Sequence, residues 1–180
     1  TPMEAHLGDG AAALLIANED ILAEFEEGYS ISDEIVDVWR SESDVFSHSW
    51  EDRFIIQEGY QPRISEVVTG LLQKMELDAS DFTKLALYAP DKRSHAHVCP
   101  SLKLEPSQIQ DPLFGQMGNA GAAFASLQLI SALERAKAKD RIGVAGYGDG
   151  AEALSFLVQE PISGVGARRG ASRGRSSVWY

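Results

Sequence analysis

A single cysteine, Cys99, stands among 180 residues. It excludes an internal disulfide framework and is what a chain kept in the reducing cytoplasm is expected to show. No apolar stretch approaches the roughly 20 residues needed to cross a bilayer. The N-terminus lacks the basic, apolar, small-residue order of a secretion signal. Basic residues are also scarce: 16 Lys and Arg face 27 Asp and Glu, a net charge of −11. Four of the basic residues (Arg168, Arg169, Arg173 and Arg175) lie in the last twenty positions, where no acid occurs, so the remainder carries −15. So acidic a body repels phosphate backbones, and neither nucleic acid nor membrane is an expected partner. The Gly/Ser/Arg tail reads as a linker, and low complexity is confined to it. The chain opens at Thr1, with Gly8-Asp9-Gly10 close behind, and reads as a piece of a longer protein.

Two chemistries also lack their residues. Gly8-Asp9-Gly10 and the later Gly146–Gly150 run have neither dinucleotide-loop nor P-loop spacing. His95-x-His97-x-Cys99 would share one face of a strand, but no fourth ligand is evident, so no metal is expected.

What is present centres on Phe114 to Gly150. A Gly-rich turn (Gly115, Gly118, Asn119, Gly121) opens this stretch, and an apolar segment from Ala122 to Leu133 follows. Apolar residues on most faces predict a helix buried inside a domain. A charged turn, Lys137 to Arg141, leads to the short apolar run Ile142–Ala145 and then Gly146-Tyr147-Gly148-Asp149-Gly150. A buried helix followed by an apolar strand is half of an α/β unit.

Elsewhere the pattern predicts a buried strand at 11–16 and a half-buried strand at 21–27, joined as a hairpin through Ala17–Asp20. Residues 29–58 read as an irregular acidic excursion carrying an exposed His48. Ile64, Val67, Val68, Leu71, Leu72 and Met75 predict an amphipathic helix opened by Pro62. A short helix near Phe82, a strand at 85–88, a helix from Asp91 to Val98, a proline-punctuated loop at 102–113 and a last strand at 152–158 complete the reading.

These residues carry a resemblance. The order Gly-Asn, small residues, apolar helix, charged turn, apolar strand and Gly-x-Gly-x-Gly resembles the C-terminal half of thiolase-fold condensing enzymes. Within them it is most similar to the hydroxymethylglutaryl-CoA synthase and ketoacyl synthase III branch. Gly8 to Ile16 resembles the strand that closes the N-terminal half of those enzymes. Asp37-Val38-Trp39-Arg40, Arg53-Phe54 and Tyr60 resemble the region that links the halves. The implied fold is α/β, a thiolase-like layered αβαβα arrangement of which this chain is the C-terminal half. The implied organisation is 1–28 as the last strands of the N-terminal half, 29–160 as the C-terminal half and 161–180 as a tail.

The resemblance implies part of an acyl-CoA condensing enzyme working through a thioester acyl-enzyme, with acyl-CoA or an acyl-carrier thioester as substrate and no cofactor. The nucleophilic cysteine of such enzymes lies in the N-terminal half, and Cys99, followed by Pro100, does not replace it. The family histidine falls at Tyr88, in Leu87-Tyr88-Ala89-Pro90. An unperturbed tyrosine titrates at about pH 10, a poor base but a competent donor. Tyr88 therefore either takes a catalytic place, standing in for the base or acting as a hydrogen-bond donor or general acid, or packs under its turn. Asn119 matches the family asparagine, which polarises the acyl oxygen; capping the following helix is its other reading, and both can hold. Arg93 falls where a basic residue faces CoA phosphates, and Gly118 and Gly148 would let backbone approach the acyl group. The resemblance further implies an N-terminal partner half and either a homodimer or a complex with a thiolase or OB-fold protein. The alternative to an enzyme is a non-catalytic thiolase-like scaffold subunit.

Overall fold

The computed structural model describes residues 7–160. Six strands are present among them: β1 Ala23–Ser32, β2 Val38–Trp39, β3 His48–Ser49, β4 Lys84–Leu87, β5 Arg141–Gly148 and β6 Gly150–Val158. Four of these form one sheet in the order β1-β6-β5-β4, and β2 pairs with β3 alone. Strands β4 and β5 run parallel, whereas β6 is antiparallel to both of its neighbours.

The three principal helices are α1 Gln61–Met75, α2 Lys92–Val98 and α3 Phe124–Leu133. Helix α1 continues directly from a short helix, Asp52–Phe54, and a π-helical turn, Ile55–Tyr60. Its apolar face buries Ile64, Val67, Val68 and Leu71, the 3–4 spacing of the sequence. Asp91 caps α2 by accepting the Arg93 and Ser94 amides at 2.8 and 2.9 Å, as a side-chain oxygen at that position should.

Strand alternation assigns the two layers. Leu85 and Leu87 of β4 join Ile64, Val67 and Leu71 in one cluster, with Ala145, Ala151 and Ala153 beneath them. Ala86, Ile142 and Val144 face the other way and pack with Leu129 and Ala132 of α3. The sheet is thus covered by α1 on one face and α3 on the other. The β5–β6 hairpin turns through Gly148-Asp149-Gly150, where Gly150 has φ +117°. A Cβ at Gly150 would run into the Ile31 carbonyl of β1, so a side chain there is doubly disfavoured.

The predicted strand at 11–16 is not present, nor is the hairpin to 21–27. Leu15 and Ile16 are 97% and 92% exposed. No sheet edge lies beside them: the segment touches the fold through the Leu7–Asn119 bridge, and the strand after it pairs with β6, more than a hundred residues away. Strand β1 also extends beyond its predicted end and crosses the boundary expected at residue 28. The excursion from 29 to 58 is less irregular than predicted. It carries the β2–β3 pair, with His48 exposed and stacked on Trp39 at 5.9 Å, and then the helical entry to α1. The tail lies outside the described residues. No helix among the described residues is long and apolar enough to cross a membrane.

Strand β1 has an irregularity between Phe25 and Glu27, and such a bulge re-aims the extra side chain. Glu26 accepts Arg141 Nε at 2.8 Å, Arg141 Nη2 at 2.9 Å and the Ser155 hydroxyl at 2.7 Å. The Arg141 hydrogen bonds hold the Glu26 carboxyl below its usual range. Glu26→Ala is expected to lower the unfolding free energy by about 1.5–3 kcal/mol near neutral pH, as loss of a hydrogen-bonded charge does. A depressed folded pKa gives stability that is present above the unfolded value and lost as pH falls through the folded one. The difference between wild type and variant in urea midpoints should therefore shrink below about pH 4.5.

Candidate functional site

Tyr88 is the first residue beyond β4, and its amide still donates to the Ala145 carbonyl at 2.8 Å. That bond extends the parallel ladder by one residue and sets the phenol at the strand's C-terminal end, where open α/β sheets present their ligand sites. The Tyr88 carbonyl accepts the Tyr60 hydroxyl at 2.9 Å. Asn119 is 7% exposed. Its Oδ1 accepts the Gly121 amide at 2.9 Å, and its Nδ2 points to the Tyr88 hydroxyl at 3.3 Å and the Pro90 carbonyl at 3.5 Å. The turn bond fixes the amide so that nitrogen faces Tyr88. The expected helix cap is not formed: the turn at 121–123 has Ala120 and α3 has Ala123 in the cap position, and neither carries a side-chain cap bond.

Three more rings close around Tyr88. Phe124 lies at 6.1 Å and edge-on, Tyr60 at 6.4 Å and Tyr147 at 6.4 Å. Tyr60 and Tyr147 meet edge to face at 5.8 Å. A Cβ at Gly59 would collide with the Tyr147 hydroxyl, so only glycine leaves room for that ring over the helix entry. The Tyr147 hydroxyl is buried without a hydrogen-bond partner among the described residues.

Burial pushes the hydroxyl pKa of Tyr60 and Tyr88 upward and that of Tyr147 to about 12. The Asp37 carboxylate pushes Tyr88 and Tyr147 further the same way. Asp37 is itself raised, mainly by burial and also by the charge of Asp149. The cluster holds its phenols protonated at neutral pH. It can donate hydrogen bonds to an oxygen but supplies no neutral-pH base.

The remaining predicted site residues take other places. Gly118 has φ +69° directly before Asn119, and Gly148 is exposed at the end of β5. Arg93 is exposed on the first turn of α2. His95 faces Cys99 at 3.9 Å from Nδ1 to Sγ. Because the segment is a helix, His97 leaves that face and is exposed. Sequence reasoning missed Asp37, Tyr60 and Tyr147 as neighbours of Tyr88. Asp37 and Tyr60 lie in the linking region it had marked, and Tyr147 in the glycine turn, but their convergence depends on β1, α1 and β5 meeting at one sheet end.

No protein-family profile matches the chain. It is 32% identical over 167 residues to a hydroxymethylglutaryl-CoA synthase of Methanopyrus kandleri, covering 91% of this chain and 47% of that protein. A Methanococcus maripaludis hydroxymethylglutaryl-CoA synthase is 29% identical, with 87% and 46% covered. The chain thus spans about half the length of the curated relatives it matches. Among solved structures, 3-oxoacyl-(acyl carrier protein) synthase III from Pseudomonas aeruginosa superimposes with TM-score 0.62 at 19% identity, covering 74% of this chain and 43% of that one. An HMG-CoA synthase complexed with CoA gives 0.62 at 16%, covering 77% and 40%. The fold is thiolase-like.

The tyrosine cluster and the buried Cys99, just past α2, make one expectation. An unfolded cysteine and tyrosine lose their protons at about pH 9 and 10, whereas the fold holds Cys99 to about 11 and Tyr147 to about 12. Above pH 9 the unfolded chain therefore binds fewer protons, and stability falls as pH rises. Denaturant midpoints are expected to hold steady from about pH 7.5 to 9 and decline beyond it. A midpoint unchanged to about pH 10.5 would contradict the burial of these groups.

Proposed function

We infer that this chain, which belongs to the thiolase-fold condensing enzymes, forms the acyl-oxygen-binding half of an acyl-CoA condensing acyltransferase of the hydroxymethylglutaryl-CoA synthase type. The observation that carries this reading is the Asn119–Tyr88 pair. Asn119 Nδ2 donates to the Tyr88 oxygen, which leaves the phenolic proton free for an outside acceptor. A thioester carbonyl placed there meets a pre-aligned donor backed by a fixed amide. When a carbon nucleophile attacks the carbonyl carbon, the C=O electron pair moves to oxygen, and the donor stabilises the charge that develops. Tyr88 keeps its proton in the ground state and contributes by hydrogen bonding.

A protonated phenol does not remove the proton α to a thioester. In this reading the base and the nucleophilic cysteine come from a complementary N-terminal half. The exposed Leu15 and Ile16 support that assignment, since they leave an apolar strip for another layer to cover. Arg93 is assigned to the CoA phosphates, and Gly118 and Gly148 to backbone approach to the acyl group. The second reading, a scaffold subunit without chemistry, is supported by the half-buried Tyr88, which the resemblance sets at the family's histidine position.

The test is mass spectrometry of the protein that unites this chain with its complementary half, after incubation with acetyl-CoA. An acetyl adduct on a cysteine of that half is expected. Tyr88→Phe should then lower turnover by about 10²–10³-fold, the loss of one such donor, with CoA affinity little changed. No adduct and no thioester binding would overturn the enzyme and leave the scaffold.

A further inference from the structure

The segment from Ser41 to Asp52 holds four acids, Glu42, Asp44, Glu51 and Asp52, and no lysine or arginine. It forms the tip and the second arm of the β2–β3 hairpin. Asp44 closes the turn by accepting the Ser41 amide at 2.8 Å and the Ser41 hydroxyl at 2.6 Å. Below the turn Trp39 stacks on His48 and meets Trp50 at 5.3 Å, and Trp50 meets Phe54 at 6.1 Å. Rings thus brace the base of the hairpin, while Val45 and Phe46 at its tip are 80% and 76% exposed. Adjacent large apolar side chains on a braced turn form a preorganised contact surface.

A concavity of about 690 Å³ lies between the start of β4, helix α2, the loop through Ile109 and the residues that follow α3. Sites that bury small groups measure about 300–1,000 Å³. Ala96, Pro100, Leu104, Pro106 and Ile109 give it an apolar lining. Its two acids are engaged within the fold: Asp140 accepts the Thr83 hydroxyl at 3.3 Å and the Lys137 amide at 2.7 Å, and Asp111 accepts the Leu113 amide at 2.9 Å. Lys84 is engaged as well, with the Ile109 carbonyl at 3.3 Å. Lys92 and Arg135, which also line the cleft, are exposed and take part in no ion pair among the described residues. The free charge at the cleft is therefore positive, in a chain of net charge −11.

The two features lie at opposite ends of the sheet. Strand β1 is antiparallel to β6, and β6 to β5, so β1 runs in the direction of β4 and β5. Its last residue, Ser32, from which the chain leads to the hairpin, is at the Tyr88 end. Thr83, Lys84, Asp140 and Ile142 set the cleft at the other end. We propose that this is a self-association contact: the acidic hairpin tip of one copy seats Val45 and Phe46 in the basic-rimmed cleft of a second copy. Apolar burial supplies the affinity, and the opposite charges set orientation and encounter rate. The surfaces are unlike, so the contact is heterologous. It involves neither Tyr88 nor Asn119 and is independent of the condensing reading.

Sedimentation velocity of the full chain over a concentration series tests this. The mass should rise with concentration at low salt and less steeply at high salt. Phe46→Ser removes the apolar tip, and the pair Lys92→Glu and Arg135→Glu reverses the rim; all three positions are exposed, so the core is left intact. Each variant should self-associate about tenfold or more weakly than wild type. Mixed in equal amounts, the two should recover one contact per pair, since the first keeps its cleft and the second its hairpin, and form a dimer that does not grow. The series is repeated on the protein that unites this chain with its complementary half, where the same differences from wild type are expected. The proposal is overturned by a wild type whose mass does not change with concentration, by wild-type association in either variant, by a mixture no heavier than its parts, or by loss of these differences once the complementary half is present.

Discussion

The hydrogen bond from the Tyr88 amide to the Ala145 carbonyl decides where this protein keeps its polar chemistry. Through it β4 stays in register with β5 for one residue past its regular end, and the next side chain in the alternation is a phenol rather than an aliphatic group. Leu85 and Leu87 face α1, and Ala86 faces α3. Tyr88 comes after the last ladder residue, so it meets groups from several elements: Tyr60 at the entry to α1, Phe124 at the start of α3 and Tyr147 near the end of β5. A shift of one residue in the β4–β5 register would exchange the two faces of β4 and send its leucines to the wrong layer. The apolar packing of the sheet therefore also fixes the position of the hydroxyl.

The same packing sets the cluster's protonation. Three phenols are brought out of water with only partial compensation: Tyr60 donates to a carbonyl, Tyr88 accepts from Asn119, and Tyr147 finds no partner among the described residues. Asp37 adds a negative charge that opposes ionisation of Tyr88 and Tyr147. Desolvation and like charge act in one direction, and the outcome is a group of neutral donors. A histidine at position 88 would titrate near neutrality and could act as a base; the tyrosine gives up that option and keeps a directed hydrogen.

Much of this order was legible in the sequence where one physical signal dominated. The spacing of Ile64, Val67, Val68 and Leu71 marks α1 because a buried helix face repeats every three to four residues. The apolar run at 142–145, closed by glycines, marks β5, and Asp91 marks the start of α2. The 11–16 segment misled because an apolar run reports a preference for burial and not the presence of a neighbour to bury against. The extent of β1 was underestimated because alternation fades at Gly28 and Tyr29, where pairing with β6 continues regardless of side-chain pattern. The motifs marked Asn119 and Tyr88, which the fold brings together, whereas the approach of Asp37 and Tyr147 was hidden by sequence separation.

Asn119 shows why the motif was readable at all. Its Oδ1 holds the Gly121 amide and so closes the turn before the short helical stretch that leads into α3. That constraint removes the amide's freedom to flip, and the nitrogen is left on the side of Tyr88 and Pro90. The Asn119 carbonyl is held as well, by the Gly8 amide at 2.9 Å. Both the backbone and the side chain of this residue are committed before any ligand arrives. Ordering a donor costs conformational entropy that a ligand would otherwise have to supply on binding. In this fold the helix turn and the N-terminal segment bear that cost, so an oxygen that reaches Tyr88 meets a hydrogen-bonding pair already in place.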